Sequence, residues 1–182
     1  MKRLTGSLLP AITLVFLLSL PARADYNHNF TGASKCRVCH MSAKKGDQFG
    51  VWKASKHAQA YQVLTTPEAK AVAEKAGQGG KNPAENPACI KCHITGWDAP
   101  AAKLGAKYDK TEGVGCESCH GPGEDYSPIK VMKDKALATA AGMTLPKKED
   151  CTKCHNSQSP TYKAFDYDTF FKKIAHDNPE TP

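Results

Sequence analysis

A chain of 182 residues with 25 Lys and Arg against 18 Asp and Glu, formally +7, has room for one domain or two very small ones. The basic excess does not point to nucleic acid, because the lysines are scattered and no basic stripe is interleaved with aromatics. Large aliphatic residues are thin while Gly (14) and Pro (12) are frequent, so burial by the polypeptide alone is a weak counterweight to conformational entropy, and another material is expected to fill the core.

In chain order, Lys2 and Arg3 precede an apolar run from Leu8 to Leu20 that is too short to span a bilayer, and Ala22-Arg23-Ala24 then offers the small residues a signal peptidase requires. Residues 1–24 are expected to be a cleaved secretory leader and residues 25–182 the mature domain. Without Lys2, Arg3 and Arg23 the balance is 22 basic against 18 acidic residues, or +4. No later stretch is apolar enough to cross a membrane, so no span is expected after cleavage.

Asp25 to Lys35 reads as an irregular arm. Asp47 to Leu64 reads as one helix, with Phe49, Trp52, Tyr61 and Leu64 as its apolar points and His57 inside it. Thr66-Pro67 is a helix start and Gly77 a stop. Gln78 to Pro87 and Gly96 to Gly115 are loops. Gly121-Pro122-Gly123 breaks the chain, and Ile129 to Ala141 reads as a helix closed by Gly142. Asp166 can cap a last helix bearing Tyr167, Phe170, Phe171 and Ile174, with His176 at its end. The expectation is a mainly α, loop-rich chain.

All eight cysteines fall into four copies of Cys-x-x-Cys-His: Cys36 and Cys39 with His40, Cys89 and Cys92 with His93, Cys116 and Cys119 with His120, and Cys151 and Cys154 with His155. Two thiols three positions apart can add to the two vinyl groups of one haem, and the next residue then lies beneath the iron as its proximal ligand. A disulfide framework or Cys₄ zinc sites would leave the four histidines unexplained, and thioredoxin-like motifs do not come in fours in so short a chain. Four covalently bound c-type haems are therefore expected, stacked, with the chain wrapped around them. The copies are unevenly spaced, so a solenoid is not expected. Of the seven histidines, His28, His57 and His176 remain as candidate distal ligands for four irons.

The run Gly113-Val114-Gly115-Cys116-Glu117-Ser118-Cys119-His120-Gly121-Pro122-Gly123 resembles the third haem segment of the tetrahaem cytochrome c-554 family of ammonia-oxidising bacteria. Trp52 to Ala58 is similar to that family's distal-histidine helix, and Cys89 to Trp97 to its second haem segment. The resemblance implies that His57 faces the haem of His120, that His176 faces the haem of His155, and that the haem on His93 is five-coordinate or weakly ligated. The family takes the distal ligand of its first haem from a histidine shortly after the third motif. Here Lys130 stands at about that position, with Met132 nearby, and His28 is the substitute. The chain also resembles extracellular multihaem cytochromes that polymerise through a shared histidine, which admits a homo-oligomer or filament joined through His28.

The expected function is electron transfer between redox protein partners, in the periplasm or outside the cell. Bis-histidine irons have no open coordination site and their potentials follow ligands, burial and charge. The alternatives are reduction of nitric oxide or nitrite at an open haem on His93, which would also need placed proton donors, and a filament subunit.

Overall fold

A computed structural model describes residues 26–179; the expected leader, at 1–24, lies outside the described residues. The chain there is helical and loop-rich, with no strand among the described residues beyond an isolated parallel bridge, Phe30 to Leu104. The ten α-helices are short: α1 Ala33–His40, α2 Gln48–Ala54, α3 Ala60–Val63, α4 Pro67–Lys75, α5 Pro87–His93, α6 Glu117–His120, α7 Ile129–Met132, α8 Lys135–Ala140, α9 Lys148–Thr152 and α10 Tyr167–Phe171.

Several ends follow from local chemistry. Asp47 takes a left-handed backbone and accepts the Gly50 N–H at 3.1 Å, which starts α2. Thr66 caps α4 through Ala69 N–H, with Pro67 in the first turn where no N–H is needed. Asn86 caps α5 and Asp166 caps α10 in the same way.

Two expected helices are each divided. The 47–64 segment breaks at Ser55, whose backbone turns extended (φ −81°, ψ 162°). The Ser55 hydroxyl accepts the His57 N–H at 3.2 Å, and the His57 carbonyl accepts Val114 N–H at 3.0 Å from a distant loop. A non-local partner thus takes a carbonyl that a continuous helix would have used itself. The 129–141 segment breaks at Asp134, whose carboxylate caps Ala136 and Leu137 and starts a second helix. The last helix stops at Phe171, so Ile174 and His176 lie beyond it.

The polypeptide's own core is thin. Among the described residues, half of the ten buried hydrophobic residues are alanines and no large side chain is fully enclosed. Order comes instead from a hub at 113–115. The Trp52 indole donates to the Val114 carbonyl at 2.8 Å. The Thr95 hydroxyl donates to Gly113 at 3.0 Å and accepts from Gly115 at 2.7 Å. This hub joins α2, the His57 loop, the end of α5 and the start of α6.

Gly113 tests the hub. Its backbone (φ 76°, ψ −135°) is one that side chains avoid, and a Cβ there would meet the His57 carbonyl oxygen at 2.7 Å. Gly77 has a similar φ, 71°, but open space around it. Gly77→Ala is expected to cost about 1–2 kcal/mol of backbone strain, and Gly113→Ala the same strain and a main-chain clash besides. A thermal melt of the two holoproteins checks this: Gly113→Ala melts lower, and equal melting temperatures would contradict it.

Candidate haem centres

Each Cys-x-x-Cys-His copy is one helical turn. α1 and α5 contain the first and second copies whole, and α6 starts just after Cys116. In the fourth copy α9 ends at Thr152, but the turn closes all the same, with His155 N–H on the Cys151 carbonyl at 2.9 Å. The third copy closes identically, His120 N–H to Cys116 at 2.9 Å. One turn puts both thiols and the imidazole on one side of the chain, as a porphyrin joined at two vinyls and one axial position needs.

The cysteines of different copies are neighbours. Cys36 lies against Cys116, Cys119 near Cys151, and Cys154 against Cys92. Contact with Cys116, then burial, pushes the Cys36 thiol up, while the same contact pulls Cys116 down. Burial pushes Cys119 up, and burial with the nearby Cys92 pushes Cys154 up to about 12. No disulfide joins any of the eight, and the raised values of Cys36, Cys119 and Cys154 are the reverse of what a redox-active Cys-x-x-Cys pair requires. Among the described residues no three His, Cys, Asp or Glu side chains converge as a zinc site demands.

Several imidazoles are held by one nitrogen. Nδ1 of His93 lies 2.7 Å from the Ala60 carbonyl, that of His120 3.0 Å from Thr144, and that of His176 2.7 Å from Ile174. A carbonyl only accepts, so Nδ1 carries the proton and the Nε2 lone pair is left for a metal. His40 makes a longer contact, 3.4 Å, with the Gln48 amide oxygen. Burial lowers the pKa of His57, His120 and His155, which favours the neutral, coordinating form.

Two pairs of rings face each other: His57 with His155, and His120 with His176, both with centroids 6.0 Å apart. With metal–nitrogen bonds of about 2 Å and roughly 1 Å more from each nitrogen to its ring centre, two axial imidazoles on one iron stand about 6 Å apart. The donor set and its spacing fit bis-histidine haem.

The juxtaposition differs from the one the resemblance implies. His57 meets the histidine of the fourth copy, not the third, and His176 meets the third, not the fourth. The crossing follows from the backbone. The Val114 bond holds His57 at the hub, where it meets His155 just beyond α9, while His176 lies against His120. His28 is not on a loose arm: its Nδ1 lies 2.6 Å from the Asp125 carboxylate, and a Cβ on Gly142 would touch its ring at 2.6 Å. Sequence reasoning missed Asp125, and also Phe165, which stacks on His155 at 4.5 Å. No spacing rule points to either.

The family model described as cytochrome c554 and c-prime matches residues 35–121. The chain is 29% identical over 139 residues to cytochrome c-554 of Nitrosomonas europaea, covering 69% of this chain and 57% of that one. It is 30% identical over 106 residues to the C-type polyheme cytochrome OmcB of Geobacter sulfurreducens, covering 55% of this chain and 13% of that one. It thus spans a little over half the length of the first relative and a small part of the second. No solved structure matches.

Removing either facing imidazole opens one iron. His57→Ala and His176→Ala are each expected to convert one low-spin centre to high spin in the electron paramagnetic resonance spectrum, and the double variant two. Spectra unchanged in both single variants would sink the facing-pair reading.

Proposed function

We propose that the chain is a multihaem c-type cytochrome that carries four haems and passes electrons along them between redox protein partners, a reading supported by the family match over residues 35–121 and the likeness to cytochrome c-554. The observation that carries this reading is the nearness of cysteines from different copies: Cys36 in contact with Cys116, Cys154 in contact with Cys92, and Cys119 close to Cys151 and Cys154. Neighbouring attachment points mean neighbouring porphyrins. They give the order first, third, fourth, second, which differs from the order of the motifs along the chain.

His40, His120, His155 and His93 are the proximal ligands in this reading. His57 completes the fourth centre, on His155, and His176 the third, on His120. His28 serves the first centre, on His40, with Asp125 holding its Nδ1. Iron ligated on both sides exchanges electrons without binding substrate, and its potential is tuned by ligand, burial and charge. A leader at 1–24 and haem attachment outside the cytoplasm put the working protein in the periplasm or beyond the cell. No helix of the described residues is long and apolar enough to cross a membrane.

One observation favours a second reading for one centre. The other distal candidates are engaged, His57 with His155, His176 with His120, and His28 with Asp125. The His93 ring is anchored on Ala60, and with His28 given to the first centre no distal candidate is left for it. An iron on His93 would be open to nitric oxide, nitrite or a similar small molecule. A filament joined through His28 draws no support from a His28 folded onto its own chain.

Stopped-flow reoxidation separates the readings. The reduced protein is expected to deliver all its electrons to a ferric monohaem cytochrome and to react far more slowly with nitrite or nitric oxide. Faster oxidation by nitrite or nitric oxide than by the cytochrome would replace the carrier with a reductase.

A further inference from the structure

Glu117 occupies a variable position between the two cysteines of the third copy, where a solvated side chain is the ordinary choice. It is instead buried, at 4% exposure. One carboxylate oxygen accepts the N–H groups of Thr31 at 2.8 Å and Gly123 at 2.6 Å and, at 3.4 Å, the Thr31 hydroxyl; the other accepts Gly32 N–H at 2.8 Å. Every partner is a donor, which suits the acceptor-only oxygens of an ionised carboxylate. Glu112 continues the pattern, accepting Ala33 N–H at 2.7 Å and Ser34 N–H at 3.0 Å. Together the two acids take four successive main-chain N–H groups, Thr31 to Ser34, at the entrance of α1, the helix that carries the first copy. Negative charge is favoured there by the helix dipole and by the unsatisfied N–H groups.

This arrangement does two things. It ties the first attachment segment to the third, since Glu117 belongs to one and grips the backbone leading into the other. It also places negative charge beside both, close enough for Glu117 to act on the Cys36 and Cys116 thiols. The partners are neutral dipoles. Among the described residues the ion pairs are His28 with Asp125 and Lys153 with Asp150, so neither Glu117 nor Glu112 is held in an ion pair. A salt bridge would have held the same geometry and removed most of the charge effect.

We infer that Glu117, assisted by Glu112, is a positioning residue that locks the first and third haem segments together and lowers the potential of those two centres. This rests on the four-haem reading above. Negative charge in a poorly solvated site favours the ferric form, which carries one more positive charge than the ferrous.

Glu117→Gln keeps the shape and removes the charge. In a redox titration followed by electron paramagnetic resonance, with the third centre identified through His176→Ala, the first and third centres are expected to shift upward while the other two hold. Unchanged midpoints, or an equal shift of all four, would overturn the inference. Where Glu117→Gln does not accumulate as holoprotein, Glu112→Gln serves: a smaller upward shift of the same two centres supports the inference, and no shift overturns it. A wild-type haem count other than four refutes the underlying reading instead, independently of any midpoint.

Discussion

The rest of the structure depends on the hydrogen bond that a backbone carbonyl makes to one nitrogen of an imidazole. Ala60, Thr144 and Ile174 each bind Nδ1 of a histidine, leaving its Nε2 as the free donor. That bond fixes the tautomer and the ring direction before any metal is considered, as a supporting contact beyond the ligand itself is known to do. The carbonyls of Ala60, at the start of α3, and Thr144, in a loop, lie 33 and 24 residues along the chain from the histidines they hold, whereas Ile174 is local. The short helices therefore need not be stable by themselves; their main task is to bring one turn of Cys-x-x-Cys-His up to the carbonyl that steadies it.

The same economy explains a core made largely of alanine. Small side chains let segments approach closely but bury little apolar area, and short helices gain little from propensity alone. In the four-haem reading, a porphyrin tethered at two thiols adds apolar surface at each copy without lengthening the chain. The loops between copies are then free to carry the polar links, the 113–115 hub and the Glu117 and Glu112 clamp among them, that set how one centre stands to the next.

Much of this was legible in the sequence, for chemical reasons. The vinyl spacing and the axial position dictate Cys-x-x-Cys-His, so the four attachment segments could be read residue by residue. Thr66-Pro67 and Asp166 announced their helix starts because capping is a local matter. The 47–64 helix was over-read because Phe49 with Trp52, and Tyr61 with Leu64, keep a helical spacing on each side of the break at Ser55. The break depends on Val114, which no local pattern reveals. The facing of His57 and His176 was out of reach for the same reason: it follows from which distant loop captures a carbonyl. His28 read as a loose arm since its partner, Asp125, is 97 residues away.

The central proposal is that covalently attached haems, one per Cys-x-x-Cys-His turn and each gripped by the adjoining imidazole, take the place of an ordinary interior. The intact mass of the exported protein, measured together with its iron content, tests it most directly. The account predicts one thioether-bound haem and one iron for each of the four copies. A mass equal to the bare polypeptide, or disulfides in place of thioethers, would contradict it.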